Sequence, residues 1–431
     1  MYRKIMGFLE AWKESEHRKP FILQGARQVG KTYSILEFGR THYENMAYFN
    51  FETNPKLNET FEENISPDYL IPILSHIAGQ TIVKEKTLIV FDEVQLCGRA
   101  LTSLKYFCED APDYHIIVAG SLLGVAVNRA KFSFPVGKVD MKTLYPMDME
   151  EFMLALGEDD LVEQIKKCFQ TDTPLPSALH DAAMQLYRQY LVVGGMPECV
   201  MQFAQTKDYI LVRHTQDTIL ASYLNDMSKY NNLNEIKKTR LAYDNITVQL
   251  SKKNTRFQYK LIKKGGRASE FKNAIEWLCL SGIASQVYKV EQIKKPLENY
   301  RDIDAFKIYV SDLGLLCAKK DLVANDILYM VEEINDFKGG MAENYVNVQL
   351  SINGYHTYYW ESARGAEIDF IIQRDGQLIP IEVKSADNTR AKSLKVYMDT
   401  YKPAYAIKLS ARNFGFEDNK KIVPLYAAFC I

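Results

Sequence analysis

Three sets of residues in this chain have the types and spacing to do chemistry. The first is Gly25-Ala26-Arg27-Gln28-Val29-Gly30-Lys31-Thr32, a complete GxxxxGK[ST] phosphate-binding loop. Its two glycines let successive backbone N–H groups point inward at phosphates, and Lys31 reaches the β- and γ-phosphates as a compact cation. Thr32 then supplies a hydroxyl ligand for Mg²⁺. The second set is Asp92-Glu93, with Asp92 placed to hold Mg²⁺ through its water shell and Glu93 to orient or deprotonate the water that attacks the γ-phosphate. An acidic pair of this kind is also compatible with a solvated turn. Ser121, following Gly120, is either a sensor of the γ-phosphate or a helix N-cap before Leu122-Leu123.

The third set lies near the C-terminus, where Glu343, Asp369, Glu382 and Lys384 follow one another. Carboxylates converging from a helix and two adjacent strands suit a hard cation such as Mg²⁺, and a nearby lysine can orient water or neutralise a scissile phosphate. Exposed strands also carry alternating charges, so Glu382-x-Lys384 alone is weak. The ordered set Glu…Asp…Glu-x-Lys is more specific and points to the restriction-endonuclease-like nuclease fold.

These groups need elements to hold them. Pro20-Phe21-Ile22-Leu23 reads as the strand that enters the phosphate loop, and Tyr33-Ser34-Ile35-Leu36-Glu37-Phe38 as the helix that leaves it with its positive end toward the anion. Thr87-Leu88-Ile89-Val90-Phe91 is apolar nearly throughout, as in a parallel strand covered on both faces. Strands are expected at 20–24, 46–52, 87–91, 114–119 and 139–145, giving a doubly wound parallel sheet of five strands. On Ile379-Pro380-Ile381-Glu382-Val383-Lys384, a period of two puts Glu382 and Lys384 on one face with Ile381 and Val383 behind. Glu343 falls on an expected helix, Met341–Leu350, and Asp369 on a strand.

The 431 residues exceed what one core accommodates. Four parts are expected: a P-loop ATPase core over 1–150, a helical lid over 151–230, a winged-helix-like domain over 231–335 and a restriction-endonuclease-like domain over 336–431. The third rests on helices near Asn234–Leu250 and Ala268–Leu280 followed by a two-stranded ribbon beginning Ile283-Ala284. Lys338-Gly339-Gly340 is expected to be a hinge into the last part.

With 47% apolar and 25% charged residues and a net charge of −1, the chain has an ordinary globular composition and no global field that would announce nucleic acid or membrane. Contact with DNA must therefore come from a local basic patch, with Lys252-Lys253 and Lys263-Lys264-Gly265-Gly266-Arg267 as candidates beside the alternative of solvated surface. The seven cysteines form no CxxC pair and read as buried thiols in a reducing compartment. The amphipathic N-terminus lacks the apolar core of a signal peptide, and no stretch approaches the roughly 18 apolar residues of a membrane span, so a cytoplasmic protein is expected.

The chain resembles a bacterial and archaeal family of AAA-type ATP-binding proteins with a C-terminal restriction-endonuclease-like domain of unknown function. Besides the phosphate loop, the matching stretches are Phe91-Asp92-Glu93-Val94-Gln95, Gly120-Ser121, Leu144-Tyr145-Pro146-Met147, Gly194-Gly195-Met196-Pro197, Tyr359-Trp360 before Glu367-Ile368-Asp369-Phe370, and Ile381-Glu382-Val383-Lys384. The resemblance implies an ATPase core, a helical lid, a winged helix and a nuclease-like end. It also implies that Gly195 and Pro197 touch the adenine, as a Gly-x-Pro turn does in related switch-type ATPases. After Phe134-Pro135-Val136-Gly137 this chain has Lys138 where the family commonly shows arginine, and lysine lacks the bidentate fork of an arginine finger. Arg129 and Arg267 remain candidates for that role.

Two functions follow as expectations. One is a Mg²⁺-dependent ATP-hydrolysing switch or motor coupled to a metal-dependent nuclease acting on DNA. The other is an ATP-gated module whose C-terminal part serves only for docking to nucleic acid or protein, and a protein partner or an oligomer fits either. A small-metabolite kinase would leave most of the chain without a purpose.

Overall fold

A computed structural model describes residues 1–121, 134–229, 233–250, 256–385 and 392–431. The described chain forms two compact units. One comprises Tyr2–Tyr145 with Leu280–Gly282, and the other Pro146–Cys279 with Ile283–Ile431.

The first unit is built on strands β1 (Phe21–Gln24), β2 (Asn45–Asn50), β3 (Thr87–Asp92), β4 (His115–Gly120) and β5 (Asp140–Thr143). Their order is β2-β3-β4-β1-β5, every pairing parallel. All residues of β3 and β4 are buried, as unbroken apolar runs demand when helices cover both faces of a sheet. Phe91 anchors one face among Phe49, Phe51 and Phe61, with ring centroids 5.5 to 6.0 Å away. The helix Lys31–His42 buries Ile35, Phe38 and Gly39, a helical spacing that lays one stripe on the sheet. Because β1 lies between β4 and β5, the chain leaves the carboxyl end of β1 where the strand order reverses, the usual place for a ligand in an open α/β sheet.

The second unit starts with helices Met149–Ala155, Asp159–Thr171, Ser177–Val193, Pro197–Thr206 and Tyr209–Lys229. After helices Leu233–Leu250 and Ala268–Leu280 come β6 (Ala284–Val290) and β7 (Arg301–Val310), then the helix Asn335–Ile352. The chain closes with β8 (Tyr358–Glu361), β9 (Glu367–Arg374), β10 (Gln377–Val383), β11 (Ala406–Ser410), β12 (Gly415–Glu417) and β13 (Lys420–Pro424). These eight strands form one mixed sheet in the order β12-β13-β11-β10-β9-β8-β6-β7.

Two expectations change here. The ribbon β6–β7, expected to stand as a wing, joins the C-terminal strands, because β6 pairs parallel with β8 through Tyr288–Tyr358 and Lys289–Tyr359. A single sheet thus crosses the boundary expected at 335/336. Pairing also removes an open strand edge that would otherwise expose its backbone groups. Secondly, Lys338-Gly339-Gly340 is no hinge but lies inside the helix Asn335–Ile352. Gly340 is there for close approach: a Cβ on it would stand 2.1 Å from the carbonyl oxygen of Leu250. Among the described residues no helix is long and apolar enough to cross a membrane.

Candidate functional site

The phosphate loop takes its shape from three residues with positive φ, Gly25 at 148°, Gln28 at 64° and Gly30 at 90°. Gly25 also has no room for a side chain, since a Cβ would meet the Leu144 carbonyl oxygen at 2.2 Å. Lys31 donates to the carbonyl oxygens of Gly25 (3.0 Å) and Ala26 (2.7 Å), folding its ammonium back over the loop. Burial lowers the Lys31 pKa to about 8, with Glu93 and Asp92 opposing the shift. The loop is braced by a residue that its sequence does not reveal. Buried Arg3, two residues before the N-terminal helix Ile5–Lys13, donates to the carbonyls of Val29 (3.0 Å) and Tyr145 (2.8 Å). A charged residue beside the amphipathic helix was the only available signal.

Strand pairing carries Asp92, the last residue of β3, to this loop. Thr32 Oγ1 donates to Asp92 Oδ2 at 2.9 Å, and the Tyr48 hydroxyl donates to the same oxygen at 2.7 Å. Glu93 sits just beyond the strand in the left-handed region, φ 51°, which turns its carboxylate away from the strand direction. It accepts from Gln95 Nε2 and, at 3.4 Å, from Ser121 Oγ. Lys31, Thr32, Asp92, Glu93 and Ser121 are therefore linked around the carboxyl ends of three strands. A threonine hydroxyl beside a carboxylate is a hard-oxygen donor set that fits Mg²⁺.

Gly195 and Pro197 lie in the second unit. Gly195 N–H donates to Asp312 Oδ2 at 2.7 Å, Met147 N–H donates to the Gly195 carbonyl at 2.6 Å, and Pro197 opens the helix Pro197–Thr206. A Cβ at Gly195 would stand 2.0 Å from the Met147 carbonyl oxygen. Burial pushes the Asp312 carboxyl up to about 6, against the pull of backbone N–H groups from Leu315, Gly195, Gly314 and Met196.

The C-terminal carboxylates share a cavity of about 420 Å³ lined by Glu343, Glu367, Asp369, Glu382, Lys384 and Lys307. In the antiparallel pair β9–β10, Asp369 and Glu382 lie one step past the Phe370–Ile381 pair, which puts their side chains on one face. Asp369 Oδ2 accepts from the Val383 N–H at 2.7 Å, and Lys384 Nζ is 2.5 Å from Glu382 Oε1. Asn344 clamps its helix to β7, accepting from Val310 N–H and donating to the Val310 carbonyl, both at 2.8 Å. That clamp delivers the neighbouring Glu343. Burial raises the carboxyls of Asp369, Glu382 and Glu367, and like charge from Glu343 adds to it.

Sequence reasoning missed Lys307, Tyr309 and Glu367 as members of this cavity. Lys307 Nζ stands 2.6 Å from Glu367, 3.2 Å from Glu343 and 3.9 Å from Asp369, and the Tyr309 hydroxyl donates to Glu343 at 3.0 Å. Burial alone would lower Lys307, but Glu343, Glu367 and Asp369 hold it well above the ordinary lysine value. The expected metal triad of Glu343, Asp369 and Glu382 is thus modified: these acids do converge, but an ammonium stands among them. Among the described residues no group of three His, Cys, Asp or Glu is arranged to hold a metal ion. The one available hint was a single lysine inside the otherwise apolar and aromatic run Ala305-Phe306-Lys307-Ile308-Tyr309-Val310.

Of the basic candidates, Lys263 pairs with Glu270 at 3.2 Å and Arg267 is exposed, while Lys252-Lys253 lie outside the described residues. Lys138 is paired with Glu109 at 2.9 Å, and Arg129 also falls outside. Of the cysteines, Cys97, Cys199 and Cys317 are buried, the other four are partly exposed, and all are free thiols.

No curated protein matches the chain. Residues 17–153 match the family described as an AAA domain, residues 184–326 a domain of unknown function, and residues 338–428 a second domain of unknown function. Among solved structures, a Walker-type ATPase of Pyrococcus abyssi is 13% identical, with 74% of this chain and 95% of that chain covered and a TM-score of 0.45. The Aeropyrum pernix ORC2 protein, in ADPNP–ADP complexes, is 10% identical over 77% of this chain and 94% of that one, with a TM-score of 0.35. The Thermotoga maritima RuvB Holliday junction branch migration motor is 15% identical over 65% and 87%, with a TM-score of 0.28. The chain thus carries a P-loop domain of the AAA type, followed by two regions that match domain families of unknown function.

Proposed function

We propose that the first unit binds and hydrolyses ATP with Mg²⁺ and that the C-terminal cavity is a metal-dependent nuclease site acting on DNA. In the first unit Lys31 exchanges its two carbonyl partners for the β- and γ-phosphates, which offer a full negative charge instead of a dipole. Thr32 and Asp92 hold the Mg²⁺, which neutralises charge on the phosphate oxygens. Glu93 orients the attacking water, and Ser121, already within reach of Glu93, reports the γ-phosphate. Contact of Gly195 and Pro197 with adenine rests on the family resemblance.

The nuclease half is carried by one observation, the convergence of Glu343, Asp369 and Glu382 with Lys384 on one cavity. The donor set is entirely hard oxygen, and Glu382 Oε2 is buried without a hydrogen-bond partner among the described residues, which suits a divalent cation. Such a cation acts as a Lewis acid on a scissile phosphate. Lys384 then holds a water or the phosphate beside Glu382. DNA would reach the cavity along a local basic patch.

The second reading, a docking module without cleavage, is favoured by Lys307 among the acids. A cleavage assay on varied nucleic acids with Mg²⁺ or Mn²⁺ separates the two. Wild type should nick DNA, Asp369→Ala and Lys384→Ala should not, and ATP binding should survive both substitutions. Cleavage that persists in both variants, or is absent from the wild type on every substrate, removes the nuclease reading in favour of docking.

A further inference from the structure

The cavity is lined by five carboxylates, Asp336, Glu343, Glu367, Asp369 and Glu382, and three cations, Arg256, Lys307 and Lys384, so that in ionised form it holds two unbalanced negative charges. Glu382 Oε2 has no partner among the described residues although the residue is only 3% exposed. Charge and orphaned oxygen both call for one more cation. Yet the position between Glu343, Glu367 and Asp369 is filled by Lys307, whose side chain is 7% exposed.

Ammonium nitrogen sits 2.6 and 3.2 Å from Glu367 and Glu343, whereas Mg²⁺ requires its oxygens at about 2.1 Å. Carboxylates gathered around Lys307 are therefore held too far out to ligate a metal. Lysine is also the cation best suited to leave, as a point charge on a flexible four-carbon stem rather than a bidentate fork. Its strand, β7, lies at the edge of the sheet and in the region that precedes the nuclease-like part, so the C-terminal part alone lacks this group.

We propose that Lys307 is a resident counter-ion of the cavity, competing with a divalent cation for Glu343 and Asp369, so that metal enters only when its ammonium moves out. This rests on the reading of the cavity as a metal-binding site. Removing Lys307 should then tighten metal binding, the reverse of what loss of a catalytic or structural lysine does.

The test is a titration of the nucleotide-free full chain with Mn²⁺, following free Mn²⁺ by electron paramagnetic resonance, for wild type, Lys307→Met and the double variant Lys307→Met/Asp369→Asn. Lys307→Met should bind about tenfold tighter or more at one site, equal to about 1.4 kcal/mol, and the double variant should lose that site. Unchanged or weaker binding in Lys307→Met, or a tightened site that survives Asp369→Asn, overturns the proposal. Should Lys307→Met fail to fold, amine acetylation of the wild type decides, read at the Lys307 peptide by mass spectrometry. Mn²⁺ should raise labelling of Lys307 several-fold, and unchanged labelling at saturating Mn²⁺ overturns the proposal. DNA cleavage is a separate readout: if neither wild type nor Lys307→Met cleaves while the Mn²⁺ results hold, only the nuclease reading falls.

Discussion

Thr32 Oγ1 and Asp92 Oδ2 are joined by a 2.9 Å hydrogen bond, although they lie sixty residues apart. The bond ties the end of the phosphate loop to the end of β3, so the two groups that would hold Mg²⁺ are paired before any nucleotide arrives. A site organised in advance loses less ordering entropy on binding.

Lys31→Ala should abolish ATP binding. Lys31 is the ammonium that turns over this loop, and alanine in its place leaves the Gly25 and Ala26 carbonyls where the β- and γ-phosphates need a compact cation. Equilibrium binding of a fluorescent ATP analogue checks this, and unchanged affinity would refute the site assignment.

Glu93→Gln should leave ATP binding nearly intact and slow hydrolysis by about 10²-fold or more, the scale of losing a positioned base. Glutamine keeps the shape and can still meet Ser121 and Gln95 but cannot take a proton. Parallel measurements of nucleotide affinity and phosphate release check this; equal losses in both would make Glu93 structural.

Gly340→Ala should destabilise the second unit by about 1–3 kcal/mol, the usual range for overpacking. The methyl group would meet the Leu250 backbone at 2.1 Å, and a backbone carbonyl yields less readily than a side chain. Gly339→Ala, where a Cβ meets nothing within 4 Å, is the matched control and should be neutral or slightly stabilising. Urea unfolding of the two variants measures the difference.

Asp312 makes stability pH-dependent with a definite sign. Its folded carboxyl titrates near 6, above the ordinary value of about 3.9, so folding favours the protonated form. The stabilisation is fully present below the unfolded value and is lost as pH rises through about 6. Relative to Asp312→Asn, which has no charge to bury, the wild type should therefore lose stability between about pH 4 and 7. Denaturation curves of both proteins at pH 4.5 and 7.5 test it; a stability difference that does not change with pH contradicts the assignment.

What the sequence determined by itself is local. A phosphate loop needs eight consecutive residues and the elements on either side, so Gly25 to Thr32 could be read directly, as could β3 and β4 from apolar runs that only a doubly covered parallel strand carries. The face shared by Glu382 and Lys384 follows from the period of a strand. The tertiary structure alone decided what stands opposite them. Lys307 reaches Glu343, Glu367 and Asp369 because the β6–β7 ribbon joins the C-terminal strands, and Glu343 arrives because Asn344 grips Val310. Gly339-Gly340 reads as a break on propensity, yet the helix continues through it because packing on Leu250 requires the absence of a side chain. Backbone preference acts over a few residues and leaves its mark in order and spacing. Charge pairing and close packing act between segments far apart in the chain, and which segments meet is settled only when the sheet has chosen its neighbours.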